Sequence, residues 1–233
     1  MRWISFDCFG TLVDWHSGFS AILGPLVGDK TPEVMAAYHR HERMLEAEAP
    51  HRLYRDVLTT SLARAAAEAG VALTEAEARR LPDSWGALPL FDDVEPMLAG
   101  LRAMGCRLAV LTNCDDGLFA QTERAFHGRF DLVVTAERVR DYKPSPAHFR
   151  FFSRSTGVGA SDWIHVACSW YHDIGPAREL GIKRVWLDRD GTGEDPATAS
   201  AHVRSAAQVC GAIAGLWSIR DSRVADPEPK KPS

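Results

Sequence analysis

Five short runs of apolar and β-branched residues stand out along the chain: Trp3–Phe6, Arg107–Leu111, Leu132–Val134, Trp163–Ala167 and Arg184–Leu187. Continuous apolar runs of this length suit strands buried on both faces, as in a parallel sheet. The segments between the last four are about 15–28 residues long, enough for crossover helices. Val94 to Met104, ahead of the second run, reads as a helix with Met97, Leu98, Leu101 and Met104 on one face. Another helix is predicted from Asp173 to Leu180, closed by Gly181 as a C-terminal cap. Together these elements predict an α/β fold with a Rossmann-like parallel sheet.

Residues 15–90 hold no strand signal, only helix signals. Thr31-Pro32-Glu33 reads as an N-cap with proline in the first turn. Thr74 to Glu77 is a capping box. Leu53 to Ala69 is alanine-rich, with Leu58, Leu62 and Ala65 at helical spacing. The expected organisation is a catalytic core of residues 1–14 and 91–220 with a helical cap, 15–90, inserted after the first strand. Alternatively, one of these helices is a crossover of the core itself. Gly191 to Pro196 reads as a loop, and 221–233, rich in proline and charge, as a disordered tail.

Composition narrows the function classes. The chain has 233 residues, 45% hydrophobic and 25% charged, with a net charge of -4. That balance recommends neither nucleic acid nor an anionic membrane as partner. No stretch approaches about 20 apolar residues, and Asp7 interrupts the first apolar run too early for a signal peptide. The five cysteines include no C-x-x-C pair, which argues against a disulfide framework or structural zinc and for a reducing, cytoplasmic setting.

Polar residues follow each strand, where the ligand crevice of an open α/β sheet lies. Asp7 follows the first, Thr112 and Asn113 the second, Ser169 to Asp173 the fourth, and Lys143 comes shortly after the third. The segments that carry these residues resemble, in order, the four motifs of the haloacid dehalogenase superfamily. They are Phe6-Asp7-Cys8-Phe9-Gly10-Thr11-Leu12-Val13-Asp14, Leu111-Thr112-Asn113, Lys143-Pro144-Ser145-Pro146 and His172-Asp173 with Pro176-Ala177 and Leu180-Gly181. The resemblance spans residues 6 to about 189 and implies a Rossmann-like core with a helical cap.

It also implies that Asp7 is a nucleophile forming an ester with substrate. Lys143 would keep Asp7 ionised and offset an acidic substrate. Asp173 would hold Lys143 and position the water that hydrolyses the ester, with Ser169 nearby. Thr11 is expected to orient Asp7. Thr112 and Asn113 are expected to supply donors to a carboxylate. Phe9 stands where the superfamily's phosphatases carry an acid that protonates the departing alkoxide. Phenylalanine transfers no proton, whereas a halide leaves as a stable anion, so Phe9 favours carbon–halogen cleavage. Cys8, Phe9, Trp170 and His172 are candidate pocket residues, with core packing the alternative for Trp170 and a loop role for His172. In the dehalogenases an arginine of the cap contacts the leaving halide. Arg40 is the first candidate and Arg43 the second, against a solvated helix face for that stretch.

The resemblance is to the type II 2-haloacid dehalogenases, with departures. Cys168, Trp170 and Phe149 stand where those enzymes carry serine, asparagine and tyrosine. The stretch Val166 to Asp173 is similar to a sister group that includes an azetidine-2-carboxylate hydrolase. The expected reaction is displacement at the sp³ carbon of a small carboxylic acid, first a 2-haloacid and second a strained cyclic amino acid. No cofactor is required for either. A Mg²⁺-dependent phosphatase and a non-catalytic binding protein are the further alternatives. The resemblance also implies a homodimer, without identifying an interface.

Overall fold

The computed structural model describes residues 1–223. Six strands form one parallel sheet: β1 (Trp3–Phe6), β2 (Arg107–Thr112), β3 (Leu132–Thr135), β4 (Trp163–Ala167), β5 (Lys183–Leu187) and β6 (Ala201–Val203). Their order is β3-β2-β1-β4-β5-β6. β1 is central, and its register sets Phe6 beside Val110 of β2 and Val166 of β4. Asp7 therefore leaves the sheet between the carboxyl ends of two neighbours, at the point where strand order reverses. Its own N–H still donates to Val166 O at 3.1 Å.

Four helices follow β1: α1 (Trp15–Val27), α2 (Thr31–Glu46), α3 (Tyr54–Glu68) and α4 (Glu75–Asp83). The remainder interleave with the strands: α5 (Val94–Ala103), α6 (Asp116–Thr122), α7 (Ala136–Val139), α8 (Ala147–Thr156), α9 (Gly175–Glu179) and α10 (Val209–Arg223). None among the described residues is long and apolar enough to cross a membrane. The strands bury Ile4, Phe6, Leu108, Val110, Ile164 and Val166 completely. Each such side chain contributes about 1.5–3 kcal/mol relative to exposure.

Polar contacts fix where the helices sit over the sheet. α3 begins at Tyr54 without a side-chain cap from Leu53. Asp115, fully buried in the loop after β2, caps it from a distance by accepting the Tyr54 and Arg55 backbone N–H groups at 2.6 and 2.9 Å. Glu42 of α2 accepts the hydroxyls of Tyr38 and of Tyr54, tying α2 to α3. α1 starts on Asp14, whose carboxylate accepts Ser17 N–H. Gly18 lets α1 approach Leu88, since a Cβ there would stand 2.4 Å from Leu88 Cδ2.

Several local expectations change. β6 is absent from the predicted strands: it is three residues long and holds no apolar run, and it exists because β5 offers it a free edge. Thr31 is inside α2 rather than its cap, because its hydroxyl donates back to Gly28 O of the preceding 3₁₀ turn. Met104 ends α5 and is exposed, not packed with Met97. The helix expected from Asp173 is a π-type turn over Trp170–Ile174 followed by α9. α10 runs through Arg223, so 221–223 of the expected tail are helical, and the rest of it lies outside the described residues.

Candidate active site

Asp7, Lys143 and Asp173 come together although up to 166 residues separate them. Lys143 Nζ donates to Asp7 Oδ1 at 2.8 Å, Asp173 Oδ1 at 2.7 Å and Leu111 O at 2.9 Å. An ammonium has three protons, and all three are used. Burial alone would push Lys143 down, but Asp173 and Asp7 outweigh it and hold the amine above its ordinary range. Burial likewise acts to raise Asp173. The Lys143 charge and the His165 hydrogen bond overcome it, so Asp173 stays below the usual carboxylate range.

Beneath Asp173 lies a relay that sequence reasoning does not single out. Trp163 Nε1 donates to Ser5 Oγ at 2.7 Å, Ser5 Oγ meets His165 Nδ1 at 2.8 Å, and His165 Nε2 meets Asp173 Oδ1 at 3.0 Å. Indole N–H can only donate, so the Ser5 hydroxyl proton goes to His165 Nδ1 and His165 Nε2–H donates to Asp173. Asp173 Oδ1 thus accepts both Lys143 and His165. Its Oδ2 is buried and has no partner among the described residues. Replacing His165 by Leu strands Ser5 and removes one anchor of Asp173. The expected cost is about 1–3 kcal/mol in urea unfolding, and an unchanged midpoint would show that the relay contributes nothing to stability.

The turn after β1 is built to hold Asp7. Cys8 O accepts N–H groups from Thr11, Leu12 and Val13 at 3.3, 2.7 and 3.0 Å. Gly10 sits at φ 92°, a backbone conformation that favours glycine. Thr11 Oγ1 then donates to Asp7 Oδ2 at 2.7 Å while accepting Cys168 N–H at 2.9 Å. The Cys8 side chain is not a pocket residue. It is fully buried, and burial, with Cys114 and Asp7 nearby, pushes its thiol well up. Phe9 is half-buried, its ring 4.7 Å from that of Trp85.

Asn113 and Thr112 have partners inside the protein rather than side-chain donors held out to a carboxylate. Lys143 N–H donates to Asn113 Oδ1 at 2.7 Å, and Asn113 Nδ2 donates to Lys143 O at 3.1 Å. The amide therefore clamps the Lys143 backbone in both directions. Thr112 Oγ1 points to Cys114 Sγ, and Thr112 O faces His148 Nε2 at 3.1 Å. Burial and the Lys143 charge push His148 down to about 3, so it serves as a neutral donor.

A cleft of about 470 Å³ reaches this site at Lys143 and is walled by Arg43, Glu46, His51, Arg140, Tyr171 and His172 among others. Ser169 Oγ accepts His172 N–H at 3.1 Å and contacts His172 Nδ1 at 2.9 Å, fixing the imidazole at the cleft wall. Two expected pocket residues are elsewhere. Arg40 is exposed and pairs with Glu68 of α3, because it lies on the face of α2 opposite Tyr38 and Leu45. Arg43, one turn further, lines the cleft instead. Trp170 turns its indole away to Thr198 Oγ1 at 3.1 Å and packs with Trp186 and Ile174.

The resemblance raises Mg²⁺ as a ligand of Asp7 and Asp173. These two carboxylates instead share the Lys143 ammonium through their Oδ1 atoms. No group of three His, Cys, Asp or Glu side chains among the described residues is placed to hold an ion. The ammonium already takes up the charge of both carboxylates, an arrangement that does not fit a dication between them.

Comparison with known proteins shows the family. The family model for haloacid dehalogenase-like hydrolases matches residues 1–181. Haloacetate dehalogenase H-2 of Moraxella sp. (strain B) is 24% identical over 81% of this chain and 86% of its own. (S)-2-haloacid dehalogenase 1 of Pseudomonas sp. (strain CBS-3) is 27% identical over 79% and 83%. The L-2-haloacid dehalogenase of Xanthobacter autotrophicus, solved with chloropropionic acid covalently bound, superposes with a TM-score of 0.81 at 16% identity, covering 92% of this chain and 99% of its own, and so shares the fold. The chain belongs to the haloacid dehalogenase-like hydrolase family.

Proposed function

We propose that the protein hydrolyses the carbon–halogen bond of small 2-haloacids by direct displacement. The observation that carries this reading is the setting of Asp7. Its Oδ1 is held by Lys143 and its Oδ2 by Thr11, and the residue two positions on is the apolar Phe9. The site thus presents an oriented carboxylate with no acid at the position from which an alkoxide would be protonated. Such a carboxylate suits attack on carbon with departure of a group that needs no proton.

A carboxylate oxygen of Asp7 attacks C2 from the side opposite the halogen, forming the ester and releasing halide with inversion at carbon. Water then attacks the Asp7 carbonyl carbon. Asp173 Oδ2, buried and without a partner among the described residues, orients that water, and Lys143 steadies the charge developing on Asp7. The bond between the Asp7 carbonyl carbon and the ester oxygen breaks, returning Asp7 as carboxylate; one proton of the water goes to the departing oxygen, giving the 2-hydroxyacid, and the other is released to solvent. The two named dehalogenase relatives fit this assignment, and none of the steps uses a cofactor.

The test is halide release from chloroacetate and from each enantiomer of 2-chloropropionate with EDTA present. The expected result is release from one enantiomer at a rate EDTA does not change, with hydroxyacid of opposite configuration. Retention of configuration or an absolute Mg²⁺ requirement would overturn the mechanism. Ring opening of azetidine-2-carboxylate without halide release from any of these acids would transfer the same Asp7 attack to carbon–nitrogen cleavage.

A further inference from the structure

The cluster of Asp7, Lys143 and Asp173, which the cleft reaches at Lys143, carries one net negative charge, two carboxylates against one ammonium. An acidic substrate meets like charge there and needs cations from elsewhere. The wall of the cleft carries Arg43, His51 and Arg140 against Glu46, Glu48 and Asp141. The three carboxylates are engaged. Glu48 pairs with Arg52 at 2.9 Å, Glu46 accepts Asn113 Nδ2 at 3.4 Å, and Asp141 accepts the Ser145 hydroxyl and Tyr142 N–H.

The guanidiniums are held less closely, Arg43 acting on Glu46 by charge without a contact. Neither the Arg43 nor the Arg140 guanidinium has an ion-pair or hydrogen-bond partner among the described residues. Both ring nitrogens of His51 are buried and without partners, and its ring lies 4.8 Å from that of Tyr142. Burial and the Arg140 charge depress His51, which leaves it a neutral ring with one N–H to give. Arg140 also holds φ 54°, the one positive φ outside glycine among the described residues. Glycine would adopt that backbone freely, yet a long cationic side chain occupies it.

We propose that Arg140, with Arg43 and the His51 N–H, forms an anion subsite at the mouth of the cleft that takes a second carboxylate of the substrate. The preferred substrates are then short 2-halodicarboxylic acids rather than monocarboxylic ones. The reaction in this inference rests on the displacement reading above; the subsite rests on the unpaired cations. The cleft volume of about 470 Å³ is in the range that accommodates molecules larger than a three-carbon acid.

Binding and turnover test the two parts separately. Succinate and propionate, which have no halogen, are titrated calorimetrically into the full-length protein at low ionic strength. Succinate is expected to bind at least about tenfold more tightly, the scale of a single additional charge-assisted hydrogen bond. Arg140→Gly, which relieves the backbone strain, is expected to erase that preference. In turnover, kcat/KM for 2-chlorosuccinate should exceed that for 2-chloropropionate by a similar factor, and the ratio should fall toward one in Arg140→Gly through KM. Equal binding of succinate and propionate would overturn the subsite. So would a succinate preference that survives both Arg140→Gly and Arg43→Gln, or an Arg140→Gly loss that is equal for the two acids. Arg140-dependent succinate binding without halide release from any haloacid would leave the subsite standing and remove the displacement reading.

Discussion

Asp7→Asn is expected to lower halide release by at least about four orders of magnitude, the scale on which removal of a nucleophile acts. An amide oxygen carries no charge with which to attack carbon, and the amide nitrogen would turn N–H groups toward either Thr11 Oγ1 or Lys143 Nζ, both of which already donate to Asp7. The protein should still fold, since Lys143 keeps Asp173 and Leu111 O as acceptors. A urea melt run beside the assay separates lost chemistry from lost structure. The wild-type protein offers a second readout. In one turnover in ¹⁸O-water, the label should enter Asp7 and not the product, because the product hydroxyl comes from the carboxylate that attacked. Label in the first-turnover product, or a variant within tenfold of wild-type activity, would replace displacement by Asp7 with direct attack of water.

The difference between what is legible in the chain and what is not follows from locality. β1 to β5 are readable because a strand covered on both faces must be apolar throughout. Asp7, Lys143 and Asp173 are readable because an open parallel sheet gathers the residues that follow its strands. Arg40 is misplaced by sequence reasoning because a helix face is decided by packing. Tyr38, Glu42 and Leu45 follow one another at helical spacing on the inner side of α2, and Arg40 falls on the other side, where Glu68 meets it. The capping of α3 by Asp115 has no local signature, since the carboxylate is about 60 residues from the helix it serves. The relay does leave a signal. Ser5 and His165 are polar residues inside fully buried strands, and buried polar groups require partners. In the sheet they are register neighbours, which is what lets them satisfy each other.

Lys143→Met is expected to be the most damaging substitution for stability. It leaves Asp7 and Asp173 as two buried carboxylates with no cation between them, and breaking a buried ion pair from one side costs about 3–5 kcal/mol. The sign of the pH dependence distinguishes this cause from lost packing. In the wild type, Asp173 is depressed, so its contribution is present above the ordinary carboxylate range of about 4 and is lost as pH falls below it. Lys143 is raised, so its contribution is present below about 10.4 and is lost as pH rises through its folded value. These two groups leave stability level between those limits, while the depressed His148 and His51 lower it in wild type and variant alike as pH falls below about 6.5. In Lys143→Met only the His165 hydrogen bond still opposes the burial that acts to raise Asp173, so protonation becomes more favourable in the folded state. Relative to the wild type, the variant should gain stability as pH is lowered from 8 to 5. Adding Asp173→Asn to Lys143→Met removes one of the stranded charges and should recover part of the loss at pH 8 without restoring turnover. Urea midpoints at the two pH values read all three proteins. A Lys143→Met variant within about 1 kcal/mol of wild type at pH 8, a small change for a buried charge, would mean that water or a rearranged side chain takes the ammonium's place, and the site would have to be described without its central cation.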